Sequence, residues 1–160
     1  MPKTLLALPA IAAAALWGSS AMSPVANGMD EMRVQTRMGK PETVRKVAGG
    51  SEVWEYPGGP LGRQTYMVTV GSDHAVKEVR QVMSEEYFSK VQAGMSRDQV
   101  RQLLGRPGEI NMFKARNEEV WSWRYLQVNP MFFNVIFDQG TGTVRSTLRL
   151  DEILFMDQNC

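Results

Sequence analysis

Few side chains in this chain are spaced for catalysis or metal binding. The 160 residues contain a single histidine, His74, and a single cysteine, Cys160. A zinc site draws on several imidazole or thiolate ligands and a nucleophilic cysteine needs a neighbouring base, so one residue of each kind supports neither. His74 lies in the turn sequence Gly-Ser-Asp-His, which predicts an exposed loop histidine. Glu85 and Glu86 begin a predicted helix, where adjacent positions point apart and acidic side chains favour the positive end of the helix dipole.

Larger catalytic motifs are absent as well. The sequence contains no Gly-x-x-x-x-Gly-Lys-Ser/Thr loop, no Gly-x-Gly-x-x-Gly loop and no Gly-x-Ser-x-Gly elbow. Its 18 Lys and Arg residues balance 17 Asp and Glu residues, which argues against a dedicated nucleic-acid binder. We therefore predict a protein that is not an enzyme and that needs no cofactor or metal.

The first 21 residues predict a secretory signal peptide. Lys3 precedes the apolar run Leu5–Leu16, and small residues follow at Ser19–Ala21. As a helix this run would rise about 18 Å, which is less than the ~30 Å of a hydrocarbon core, so a permanent membrane span is not predicted. A short buried helix is the alternative, and Pro9 weakens it. We expect a secreted chain that begins near Met22.

Two segments of the chain resemble each other. Residues 28–41 read GMDEMRVQTRMGKP and residues 94–107 read GMSRDQVRQLLGRP, with five identical residues at an offset of 66. Ser96 begins a Ser-x-x-Gln capping box, and an aspartate fills the cap position of the first segment. Gly105 predicts a left-handed helix end, and Pro107 forbids continuation of the helix. Each segment therefore predicts a short helix with its own start and stop signals.

Strand patterns follow each predicted helix. Val53–Tyr56 corresponds to Val120–Trp123 at an offset of 67, and each is followed by an alternating apolar segment and a third strand candidate. The fold class predicted is α+β, with two tandem modules, each of short helices packed on a three-stranded antiparallel sheet. The first module spans residues 22–83 and has a missing or incomplete leading helix; the second spans residues 84–152. Residues 153–160 form a C-terminal tail.

The second module carries a family resemblance. Val91–Val100, Leu103–Pro107, Trp121–Tyr125 and the strand ending at Asp138 resemble the SmpA/OmlA (BamE-like) outer-membrane assembly lipoproteins. The resemblance covers residues 84–150, with the first module as a degenerate copy. It implies a small periplasmic module that is an accessory of outer-membrane protein assembly or envelope integrity. The implied partner is the β-barrel assembly machinery, with peripheral association with the outer membrane.

One departure from the family concerns the lipid anchor. A lipoprotein signal would place cysteine where this chain has Ser19, so no diacylglycerol can be attached there. We expect an unlipidated periplasmic protein. The alternative function is a secreted tandem-repeat inhibitor of an enzyme, similar to the β-lactamase inhibitor proteins. Those repeats are usually held by disulfides, which a chain with one cysteine cannot form internally.

The candidate partner-binding residues come from strand alternation. The rings of Trp121–Tyr125 share one face, which is predicted to pack under the helices. Phe132 and Ile136 place large apolar side chains on the opposite face of the next strand, and one helix layer cannot cover both faces. We expect that opposite face to pack against the first module, where Met67 lies on the corresponding strand; an exposed patch is the alternative. We predict Phe132, Ile136 and Met67 as partner-binding residues.

Overall fold

The computed structural model describes residues 25–59 and 61–152. The predicted signal peptide, residues 1–21, and the predicted tail, residues 153–160, lie outside the described residues. The helices of the described part are α1 (Glu31–Met38), α2 (Glu85–Phe88) and α3 (Arg97–Leu104). Its strands are β1 (Thr43–Lys46), β2 (Glu52–Pro57), β3 (Thr65–Val70), β4 (Val76–Gln81), β5 (Glu109–Phe113), β6 (Glu118–Leu126), β7 (Pro130–Asp138) and β8 (Val144–Asp151).

The strands form two antiparallel sheets, so the predicted α+β class is confirmed. The first sheet has the order β1-β2-β3-β4 and the second the order β5-β6-β7-β8. The prediction of three strands per sheet was wrong, because β1 and β5 each add a fourth. Most residues of β1 and β5 are exposed, since each strand lies at a sheet edge. Because neither segment buries a face and each contains few apolar residues, neither stands out in the sequence as the other strands do.

The helix boundaries follow from capping residues. The Asp30 side chain accepts a hydrogen bond from the Arg33 backbone N–H at 2.9 Å. Ser96 and Gln99 form the predicted capping box, with each side chain accepting from the other residue's backbone N–H. In contrast, Ser84 precedes the four-residue helix α2 without making a side-chain cap hydrogen bond.

The helix ends share an unusual backbone conformation. Gly39 follows α1 with φ 79° and ψ −166°, and Gly105 follows α3 with φ 78° and ψ −164°. The positive φ agrees with the prediction for Gly105, although ψ places both residues outside the left-handed helical region. This part of backbone space is essentially restricted to glycine. Both chain reversals therefore depend on the absence of a side chain.

The helices and sheets are packed in layers. The first sheet packs α1 on one face, where Val34 contacts a cluster with Trp54 and Val68. Its other face carries Val53 and Met67, which belong to a second cluster shared with α2, α3 and the second sheet. Consequently, α3 lies between the two sheets.

The second sheet turns its aromatic face toward α2 and α3, as predicted. Trp121, Trp123 and Tyr125 are all buried in the shared cluster. Phe88 from α2 stacks on Phe133 from β7 with ring centroids 4.2 Å apart. These contacts fix the orientation of the second sheet and leave its opposite face turned away from the helices.

Candidate partner-binding face

We define the outer face as the side of the second sheet that points away from α2 and α3. Phe132 and Ile136 both lie on this face, as predicted from their alternation along β7. Met67 does not lie with them: it is buried between the first sheet and α3. The first sheet therefore does not cover the outer face through Met67, as was expected. Two of the three predicted partner-binding residues share this face, and Phe132 is itself buried, with only 5% of its surface exposed.

Strand register determines which side chains are neighbours on the outer face. Ile136 pairs with Val120 of β6 on one side and with Ser146 of β8 on the other. Phe132 pairs with Arg124 and Leu150 in the same way. The middle row consists of Ser122, Asn134 and Leu148.

A shallow groove of about 350 Å³ runs over this face. Its apolar lining includes Phe113, Val120, Ile136, Leu148 and Leu150. Phe113 and Leu148 are among the large apolar side chains that remain exposed. Contiguous exposed apolar surface of this kind is typical of protein interaction sites.

Sequence reasoning missed three of these apolar side chains. Phe113 was missed because it ends β5, an edge strand that was not recognised in the sequence. Leu148 and Leu150 flank Arg149 in a period-two pattern that was assigned to a strand but not to a face. Pairing that strand in register with β7 would have placed Leu148 on the outer face.

A polar pair lies at the centre of the apolar face. The Ser122 hydroxyl donates to Asn134 Oδ1 at 2.6 Å, and Asn134 is only 6% exposed. Its amide nitrogen has no hydrogen-bond partner among the described residues. Exchanging the amide oxygen and nitrogen would leave the oxygen unpaired instead. An unsatisfied buried polar group costs about 1–3 kcal/mol, so a partner that supplies the missing hydrogen bond would remove this penalty.

Ion pairs lie at both ends of the outer face. Arg124 lies 3.5 Å from Glu152, and its guanidinium carbon is 5.1 Å from the Phe132 ring centroid. Arg63, from the loop between β2 and β3, also binds Glu152, at 3.1 Å. At the other end, Arg145 binds Asp138 at 2.5 Å. A largely apolar patch with a polar rim is the usual composition of a protein interface.

Asp138 is held in its charged form at this rim. The backbone N–H of Thr141 donates to its carboxylate at 2.8 Å, and Arg145 supplies an opposing charge. Together they lower the pKa of Asp138 to about 2. The rim charge is therefore constant at physiological pH.

Glu119 is a carboxylate with a lowered pKa whose role is structural. Glu119 is buried on the inner face, where it accepts from Arg97 Nε at 2.9 Å and from Trp121 Nε1 at 2.7 Å. Burial raises the pKa of Glu119, but the hydrogen bonds from Arg97 and Trp121 and the Arg97 charge outweigh it and lower the pKa overall. The carboxylate thus fastens the start of α3 to β6. Within the described residues, no group of three or more His, Cys, Asp and Glu side chains is placed to hold a metal ion.

Part of the chain matches a known protein family. Residues 81–128 match the family model for the outer membrane protein assembly factor BamE domain. The matched segment starts at the end of β4 and contains α2, α3, β5 and β6. The BamE-like resemblance predicted from the sequence is therefore confirmed for this segment. No curated protein matches the chain.

Three solved structures show weak likenesses. An extracellular protein containing an SCP domain from Bacillus anthracis str. Ames is 14% identical, with 83% of this chain and 46% of that chain covered and a TM-score of 0.31. A proposed beta-lactamase inhibitor protein from Streptococcus mutans is 13% identical, with 79% and 85% covered and a TM-score of 0.32. A DUF4309 family protein from Bacillus subtilis subsp. subtilis str. 168 is 14% identical, with 77% and 78% covered and a TM-score of 0.29. At TM-scores this low, none of the three supports a statement about fold or function.

No helix within the described residues has the length and apolar character needed to cross a membrane.

Proposed function

We propose that this chain is a non-enzymatic periplasmic protein that assists outer-membrane protein assembly by binding a protein partner. The observation that carries this proposal is the BamE domain match over residues 81–128. The outer face supports it independently of the match, because it combines an apolar groove, an unsatisfied amide and a charged rim. We assign the partner to the β-barrel assembly machinery and its contact to the surface around Phe132 and Ile136.

The proposal includes a tandem arrangement of two BamE-like modules, residues 22–83 and 84–152. Its support is the correspondence between the two halves of the chain. The Gly28 N–H donates to the Val76 carbonyl at 2.7 Å, and the Gly94 N–H donates to the Val144 carbonyl at 2.8 Å. Each bond ties the segment before a capped helix to the last strand of a sheet. Conserving such a bond is what duplication of one module would produce.

Crosslinking in cells tests the identity of the partner. A photoreactive amino acid at Ile136 should capture a component of the β-barrel assembly machinery. The same probe at Met32, which is exposed on α1, serves as the control because α1 packs on the far side of the first sheet. Capture of a single soluble enzyme would favour the inhibitor function instead. Equal crosslinking from both positions, or none from Ile136, would contradict the proposed binding face.

A double variant tests the role of the central polar pair. Ser122→Ala/Asn134→Leu removes both hydrogen-bonding groups together, which is close to neutral for folding. We expect an unchanged or higher urea midpoint together with weaker crosslinking from Ile136. A lowered midpoint with unchanged crosslinking would show that Ser122 and Asn134 serve folding alone.

The periplasmic location has its own test. Intact-mass measurement of the protein recovered from the periplasm should find an unlipidated chain that begins near Met22. An acylated N-terminus, or a chain that keeps residues 1–21, would contradict this part of the proposal.

A further inference from the structure

The two sheets have four edge strands, and β5 differs from the other three. β1, β4 and β8 each contain two Lys or Arg residues, whereas β5, with the sequence EINMF, contains neither. Charged side chains, above all lysine, are a common means by which proteins prevent an edge strand from pairing with another chain. Within β5 the one charged side chain is Glu109, at the first position of the strand, so the residues from Ile110 to Phe113 carry no such protection.

Strand regularity separates β5, together with β1, from the other two edges. The register shifts where β4 pairs with β3, between Thr69 and Val70, and where β8 pairs with β7, between Ile136 and Phe137. Such irregularities twist an edge and interrupt its ladder of hydrogen-bonding groups. β5 pairs with β6 in continuous register over its whole length, from Glu109 to Phe113. It therefore presents a regular backbone on its free side.

β5 carries exposed apolar side chains on both sides of the sheet. Ile110 is 49% exposed and Met112 is 54% exposed, and both lie on the inner side, opposite Trp121 and Glu119. Phe113 is 41% exposed and lines the groove of the outer face. An extended chain beside β5 would cover these three side chains.

We propose that the β5 edge binds an extended segment of a partner protein as an added β-strand. The partner segment would carry alternating apolar side chains: those on one side would cover Ile110 and Met112, and those on the other would continue the apolar groove at Phe113. Main-chain hydrogen bonds would supply affinity with little sequence selectivity. This inference rests on the proposed function and deepens it by naming the form in which the partner is bound.

A second copy of this chain is a poorer occupant of the same edge. A stable protein dimer buries about 20–30 residues on each side. Pairing β5 with β5 of another copy would bring together five residues from each chain. An extended ligand needs only the main-chain ladder and a few side-chain contacts, which this edge provides.

Titration with a peptide tests strand addition directly. The probe is a short synthetic peptide in which valine and threonine alternate, added to the full chain and followed by amide hydrogen exchange. We expect slower exchange at β5 and at no other edge strand. A matched peptide with N-methylated backbone amides cannot complete the ladder and should leave exchange unchanged. Lack of protection at β5, or equal protection by both peptides, would overturn strand addition.

Two matched variants locate the binding edge. Ile110→Lys gives β5 the protection found at the other edges and should weaken peptide binding about tenfold. Val44→Lys is the control, because Val44 is 48% exposed and pairs with Trp54 as Ile110 pairs with Trp121. Both variants should keep the parent urea midpoint. Equal peptide affinity for the two variants would overturn the assignment to β5.

The remaining outcomes separate this inference from the proposed function. If Ile110→Lys instead abolishes self-association measured by sedimentation, the occupant is a second copy and the inference is wrong. If crosslinking from Ile136 captures the assembly machinery equally in the parent and in Ile110→Lys, the proposed function stands and strand addition fails.

Discussion

The two sheets follow the same chain path. They differ in what covers the face that carries Glu55 in the first sheet and Ser122 in the second. At the centre of the first sheet, Glu55 pairs with Met67, and the Glu55 carboxylate accepts the Arg106 backbone N–H at 2.6 Å. The corresponding pair in the second sheet, at an offset of 67, is Ser122 with Asn134. The first pair receives the end of α3, whereas the second lies under an apolar groove.

This difference shows how a side-chain pair can adapt one strand arrangement to two uses. A carboxylate at Glu55 satisfies a backbone donor where the incoming helix ends. Asn134 instead keeps an amide nitrogen without a hydrogen-bond partner among the described residues, and this nitrogen can donate to an acceptor that an incoming partner supplies. The two sheets have the same strand arrangement. The side chains at their centres determine whether this face packs against a helix of the same chain or remains open.

The largest expected contrast between the halves lies in the helix residues that enter the core. Leu104 is fully buried in the cluster shared by both sheets, whereas Met38, its counterpart in α1, is only partly buried. Leu104→Ala should lower the free energy of unfolding by about 2–5 kcal/mol, the usual cost of a core cavity. Met38→Ala should cost less, because less surface is lost from the core. Urea denaturation of both variants measures the difference, and an equal cost would show that α3 is not the more deeply packed helix.

The next contrast concerns the glycines that end α1 and α3. Both adopt the same strained conformation, so alanine at either site should cost about 1–3 kcal/mol. A Cβ at Gly105 would also lie 2.8 Å from Glu55 Oε1 and 3.0 Å from Met67 Cε, whereas a Cβ at Gly39 would have no atom within 4 Å. Gly105→Ala should therefore cost more than Gly39→Ala in the same urea measurement. The reverse order would contradict the placement of α3 against the first sheet.

The sequence predicts the features that depend on neighbouring residues. The cap at Ser96, the glycine ending α3 and the aromatic face from Trp121 to Tyr125 all follow from short-range patterns. The edge strands β1 and β5 could not be found this way, because they bury no continuous face. The position of Met67 under α3 depends on how distant elements pack, which no local pattern records. Ile136 was placed on the correct face because strand alternation alone fixes that choice.

The smallest contrast concerns the side-chain contacts that hold the starts of α1 and α3 to neighbouring elements. In the second half, Arg97 begins α3 and binds the buried Glu119. In the first half the corresponding residue is Glu31, whose carboxylate lies 3.0 Å from His74 Nδ1 at the exposed turn between β3 and β4. The hydrogen bond and the charge of Glu31 raise the pKa of His74 from its ordinary value of 6.5. The Glu31–His74 contact responds to pH near neutrality, whereas the Arg97–Glu119 contact does not.

The direction of the pH effect follows from the raised pKa. A group with a raised pKa in the folded state contributes stability that is fully present below its unfolded pKa, here 6.5, and is lost as the pH rises through the folded value. NMR titration should place the pKa of His74 above 6.5 in the parent, and Glu31→Gln should return it toward that value. Arg97→Gln, which alters the tie of the other half, should leave the His74 titration unchanged. A His74 titration that is the same in the parent and in Glu31→Gln would mean that this contact does not form in solution, and the two helix starts would then differ by a missing tie instead of a pH-sensitive one.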